Sequence, residues 1–117
     1  MPVYMTQFAY TPQAWAALAK QPENRAEAFS KLAKEMGGRL IDLYYCFGEY
    51  DGVVLYEAPD DATASGMVIA AAVPGHLRST RTTRLMTVNE TVESLRKAGA
   101  VAYAPPRGMG EPAAARS

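Results

Sequence analysis

A chain of 117 residues is long enough to bury one core without disulfides or a structural metal, since domains of this size remove roughly two-thirds of their unfolded surface. Twelve Lys and Arg against twelve Asp and Glu leave no net charge, so neither nucleic acid nor an anionic membrane is offered an electrostatic handle. One cysteine, Cys46, and one histidine, His76, exclude an internal disulfide and a structural zinc site, and a reducing cytoplasm is the expected compartment.

Met1-Pro2-Val3-Tyr4 enters a strand pattern directly, without a basic stretch and an apolar run, so export is not expected, and no apolar run has the length of a membrane span. Val3 to Tyr10 alternates and is rich in β-formers, which predicts a first strand. Thr11-Pro12 then sets a capping residue ahead of a proline suited to a first helical turn. Trp15 and Leu18 share one face of that helix. Pro22 interrupts it, and Phe29, Leu32, Ala33 and Met36 resume the helical spacing up to a Gly37-Gly38 stop.

A second strand is expected from about Arg39 to Phe47. Gly48-Glu49 suits a two-residue type II′ turn, with Tyr50 to Glu57 as the third strand. Asp60 and Asp61 present carboxylates at the start of an alanine-rich helix, Ala62 to Val73, ended by Pro74-Gly75. His76 to Val88 reads as a longer, more polar strand carrying Arg78, Arg81 and Arg84. Thr87-Val88-Asn89-Glu90 matches a capping box for a short last helix ended by Gly99. Residues 1–99 are the expected domain, and residues 100–117, rich in Pro, Gly and Ala, the expected tail.

The order β, α, β, β, α, β plus a small helix predicts an α+β, ferredoxin-like fold. Two interleaved right-handed βαβ units would give a four-stranded antiparallel sheet with the second and fourth strands at its edges. In the first three strands both faces carry apolar side chains: Val3 and Met5 oppose Tyr4 and Phe8, Ile41 and Leu43 oppose Leu40 and Tyr44, and Val53 and Leu55 oppose Val54 and Tyr56. Helices can cover only one of those faces. The other would exceed the few hundred Å² of apolar surface a soluble monomer exposes, so a homodimer or higher homo-oligomer is expected.

In the run Gly48-Glu49-Tyr50-Asp51-Gly52-Val53-Val54 the chain resembles the GYD-domain family of small bacterial proteins. Arg25-Ala26-Glu27-Ala28-Phe29, Gly37-Gly38, Glu57-Ala58-Pro59-Asp60-Asp61 and Arg78-Ser79-Thr80 with Thr83 also resemble the family's course, so the likeness covers roughly residues 3 to 95. It implies a ferredoxin-like fold of the dimeric α/β-barrel type, two sheets packed face to face, and it implies no reaction. His76 stands where the family pattern more often has asparagine, so a role for it is particular to this chain.

Each candidate residue has a structural reading beside its functional one. Asp51, next to two glycines, can pin the hairpin by accepting backbone N–H bonds, or act as a base if Tyr44, Tyr45 and Tyr50 shield it enough to raise its pKa. Tyr4, Tyr44, Tyr50 and Tyr56 fall at even positions and could set hydroxyls toward one cavity, or simply serve as strand-formers. Gly52 permits a close backbone approach. His76, directly after Pro74-Gly75, is the one side chain that titrates near neutrality. Arg78 and Arg84 can clamp a carboxylate or discourage wrong pairing at an edge, and Cys46 is most simply a small buried hydrophobe.

The functional expectation is a homo-oligomeric domain that binds a small apolar ligand between sheet and helices, near His76, with Arg78, Tyr50, Asp51 and Trp15 as further site residues. The alternatives are a structural or regulatory oligomerisation module without a ligand and, by analogy of fold, a cofactor-free oxygenase or isomerase or a haem protein using His76. No metal or cofactor is expected, and no glycine-rich phosphate loop is present to suggest a nucleotide.

Overall fold

The computed structural model describes residues 1–109. Its elements run β1 (Val3–Tyr10), α1 (Pro12–Lys20), α2 (Arg25–Glu35), β2 (Arg39–Tyr45), β3 (Gly52–Glu57), α3 (Asp61–Ala72), β4 (Leu77–Leu85) and α4 (Val88–Gly99). Most of the boundaries are local chemistry. The Thr11 hydroxyl accepts the Ala14 N–H with Pro12 in the first turn of α1, and the Asn24 side chain accepts the Ala26 and Glu27 N–H groups to restart the helix as α2 beyond Pro22. Asp60 caps α3 through the Thr63 N–H, and the hydrogen bonds from Thr63 hold its carboxyl below the usual range.

The sheet is antiparallel in the order β2-β3-β1-β4, with β2 and β4 at the edges, which is the ferredoxin-like arrangement expected from the element order. Tyr4, Phe8, Tyr10, Val54 and Tyr56 are buried against Ala33 of α2 and Ala64 and Met67 of α3. At the centre of this face Thr6 is buried, and its hydroxyl meets the Tyr56 hydroxyl at 2.8 Å and that of Thr82 at 2.9 Å. Two glycines are demanded by close approach. A Cβ on Gly38 would sit 2.1 Å from the Glu57 carbonyl oxygen, and one on Gly52 would sit 2.3 Å from the Phe8 ring, its cross-strand partner.

Two expectations about the first hairpin are corrected. The β2–β3 ladder ends at Tyr45↔Gly52, so residues 46–51 form a six-residue connection and not a two-residue turn at Gly48-Glu49. The reason is that Asp51 is committed to β1: its N–H donates to the Phe8 carbonyl, while the Cys46 N–H donates to the Asp51 carbonyl to close the loop. Further down β2 the register shifts between Leu40 and Asp42, leaving Ile41 as an extra residue. Because side chains alternate with period two, this slip sends Leu40, Leu43 and Tyr45 to the helix-covered face and Asp42 and Tyr44 to the other. Leu43 therefore does not oppose Leu40, and Tyr44 does not join Tyr4 and Tyr56.

On the outer face Val3, Met5, Val53 and Leu55 are half-buried, and Ile41 and Tyr44 are exposed. The contacts divide the chain into two units, Met1–Met86 and the segment from Thr87 on. The first unit holds the whole sheet with α1, α2 and α3. In the second, α4 carries the expected capping box, the Thr87 hydroxyl accepting the Glu90 N–H and the Glu90 carboxylate accepting the Thr87 N–H. Residues 110–117 of the expected tail lie outside the described residues. No helix among the described residues is long and apolar enough to cross a membrane.

Candidate ligand-binding site

A cavity of about 200 Å³ lies between the helix-covered face of the sheet and helices α2 and α3. Thr6, Phe8, Leu43, Val54 and Thr80 line it from the strands, Ala28, Phe29 and Leu32 from α2, and Val68 and Ala71 from α3. Its shape follows from the sequence of α3, whose small side chains leave room where larger ones would close the layer. Tyr10, Arg25, Pro74 and His76 line this cavity and also a second one of about 360 Å³, bounded further by Ala14, Ala17, Leu18, Gln21 and Glu23. These four residues are the wall the two spaces share.

Each of the four is placed by a local feature. Tyr10 ends β1, where its N–H donates to the Asp51 carboxylate at 2.8 Å and its hydroxyl meets that of Tyr45 at 3.0 Å. Arg25 opens α2 directly after the Asn24 cap, and its Nη1 donates to Glu23 Oε1 at 3.0 Å. Pro74 follows the end of α3, and His76 precedes β4, its carbonyl accepting the Thr11 N–H. The His76 and Tyr10 rings are 6.1 Å apart.

The electrostatics of the wall follow from burial and one cation. Burial, with the Arg25 guanidinium second, lowers the His76 pKa and favours the neutral imidazole. Burial, then the Tyr45 hydroxyl, pushes the Tyr10 phenol up, against a smaller opposing pull from Arg25. On the far side of the sheet face, burial and the hydrogen bond it donates to Asp61 push Tyr4 up to about 12. Both phenols are held in the neutral form, and Tyr4 donates to Asp61.

Of the residues singled out in the sequence as site residues, His76 lines the cavity and the others do not. Asp51 is a tie between elements: Oδ2 accepts from the Tyr10 N–H and from the Trp15 indole N–H at 3.2 Å. Trp15 packs edge-on against Tyr10, with ring centroids 5.1 Å apart, and stands behind that residue. Tyr50 is half-buried in the loop, its carbonyl accepting from the thiol of Cys46, which lies in the exposed connection after β2 and is not the buried hydrophobe expected. Arg78 is exposed beside the β4 irregularity and lines neither cavity. Arg25 and Tyr10, which line both cavities, were not singled out from the sequence. Asn24-Arg25 does mark a helix start, so the position of Arg25 was legible, but which space its side chain would face was not. Among the described residues no group of three or more His, Cys, Asp or Glu side chains is placed to hold a metal ion.

The model of the GYD domain matches residues 4–95, most of the chain and all of the sheet but Val3, with α1, α2 and α3. The chain belongs to the GYD-domain family. A protein of Thermus thermophilus named "Glutamine synthetase and cystathionine beta-lyase binding protein" is 29% identical over 79 residues, 68% of this chain and 83% of that one. Among solved structures MtbAldR is similar in fold, with a TM-score of 0.54 at 14% identity, over 74% of this chain and 53% of the other, so this GYD-domain chain spans about half that protein's length. TTHA0845 from Thermus thermophilus matches over 75% of this chain and 96% of its own at 16% identity, with a TM-score of 0.49.

Proposed function

We propose that this GYD-domain protein binds a small, largely apolar molecule in the cavity between its sheet and helices α2 and α3, and works as a homo-oligomer. The observation that carries the reading is the cavity of about 200 Å³, walled by aliphatic and aromatic side chains and closed on one side by His76 and Arg25. A space of about 150 Å³ already accepts benzene in an apolar protein interior, so this one suits a single ring with a short chain. The oligomer is supported by the outer sheet face, where Val3, Met5, Val53 and Leu55 lie beside exposed Ile41 and Tyr44. A second copy of the same face is its simplest cover.

Native mass spectrometry of freshly purified protein reads both halves at once. The expected spectrum shows a dimer or larger assembly with a retained small molecule, and Ala71→Phe, which fills the cavity from α3, loses the molecule and keeps the assembly. A folded monomer would remove the oligomer, and an Ala71→Phe protein that retains its molecule would remove the cavity.

A second reading takes its support from the Thermus thermophilus relative, whose name describes a protein that binds two enzymes. On this reading the chain is a regulatory module that docks on metabolic enzymes. Co-sedimentation with purified glutamine synthetase tests it, and independent migration of the two proteins at micromolar concentration refutes it for that enzyme.

A further inference from the structure

One permanent charge reaches the cavity between sheet and helices, and its counter-charge lies outside that cavity. Among the described residues lining it, Arg25 is the one permanently charged side chain, and no Asp or Glu lines it at all. Glu23, the ion-pair partner of Arg25, lines only the second cavity, on the other side of the shared wall. That pair uses Nη1 alone, and the Glu23 side chain is 58% exposed, so the pairing contributes little and is easily exchanged. A guanidinium presents five N–H donors in a planar fork, and here it has donors to spare for a second acceptor.

The start of α2 does not itself supply the anion site. Its first free N–H groups, those of Ala26 and Glu27, are already taken by the Asn24 side chain. What remains beside the apolar space is the Arg25 fork and the His76 imidazole, with the Tyr10 phenol, itself paired with the Tyr45 hydroxyl, next to them on a third part of the chain. One fixed cation beside two neutral hydrogen-bonding groups matches a compact monoanion. A dianionic phosphate would need more positive charge than this wall carries.

We infer that the ligand is an amphipathic carboxylate, its apolar body in the cavity of about 200 Å³ and its carboxylate on Arg25 in the wall shared with the second cavity, with His76 beside it. This rests on the cavity being the binding site. Arg78, which can clamp a carboxylate in principle, lines neither space, so the anchoring cation comes from the start of α2 and not from β4. The neutral state that burial favours for His76 makes the ring a directional partner in the empty wall, and a bound carboxylate would pull a proton back onto it.

The test is a calorimetric and NMR titration with 3-phenylpropanoate and its uncharged amide, a pair that differs only in the head group. His76 is the chain's one histidine, so its ring gives a single resolvable titration. The expected result is that the acid binds about tenfold tighter than the amide, and that it alone raises the His76 pKa. Arg25→Gln should erase the difference, and Arg25→Lys should restore part of it through charge without the fork. Ala71→Phe should abolish binding of both molecules. Equal affinity for acid and amide would overturn the carboxylate anchor and leave the cavity reading intact. Binding that survives Ala71→Phe, or no binding of either molecule, would overturn both. Acid preference that persists in Arg25→Gln would overturn the role of Arg25.

Discussion

Replacing Asp51 by alanine removes the acceptor for two hydrogen bonds, from the Tyr10 N–H at 2.8 Å and from the Trp15 indole at 3.2 Å. The two losses are unequal. Tyr10 is 4% exposed, so its N–H is left without a partner where water reaches poorly, at a cost of roughly 1–3 kcal/mol. Trp15 is 43% exposed, and its N–H finds water again, so that bond adds little. Asp51→Ala is therefore expected to lose about 2 kcal/mol, roughly 10 °C in Tm for a domain of this size. Asp51→Asn keeps an oxygen in place and loses only the charge assistance, about 0.5–1 kcal/mol. Urea unfolding followed by Trp15 emission and by circular dichroism measures both variants. Asp51→Ala within about 0.5 kcal/mol of the parent protein, or Asp51→Asn as damaging as Asp51→Ala, would refute the view that this carboxylate is a structural tie.

Gly52→Ala drives a Cβ to 2.3 Å from the Phe8 ring and should destabilise by about 2–3 kcal/mol; a double-mutant cycle with Phe8→Leu should recover part of the loss, and strict additivity would contradict the clash. For His76 the folded pKa lies below its ordinary 6.5, so the unfolded chain binds the proton more readily. Its contribution is whole above about pH 6.5 and is lost as pH falls through the folded value; a stability profile of His76→Asn that keeps the same slope in that window would show that another group causes it. Leu55→Lys, a charge on the outer face beside Met5, should convert the proposed assembly to monomers in sedimentation velocity at low micromolar concentration, and an unchanged sedimentation coefficient would move the interface elsewhere. If that interface is obligate, it should bury more than about 2,000 Å² in total.

Elements whose specification is short-range were legible from the residues. The Thr11-Pro12 start, the interruption at Pro22, the Asp60 cap and the Thr87–Glu90 capping box each involve groups within a few positions, and each stands where the residue types placed it. The alternation of β1 likewise announced which side chains would share a face, because period two leaves no choice once one face is buried. Strand order followed from element order, since right-handed crossovers admit few arrangements.

What only the tertiary structure decided is everything that depends on a partner far along the chain. Ile41 becomes an extra residue because β2 must align with β3, and that slip, invisible in the residues of β2 themselves, turns Leu43 and Tyr45 toward the helices. The turn at Gly48 lengthens because Asp51 is held by Phe8 and Tyr10 of β1, a competition no local pattern records. The candidate site is the extreme case. His76 drew notice by its chemistry, but Arg25 and Tyr10 meet it only because α2 and the end of β1 converge on the junction between α3 and β4. A helix start tells where an arginine sits along the chain, and packing alone tells which cavity its charge will face.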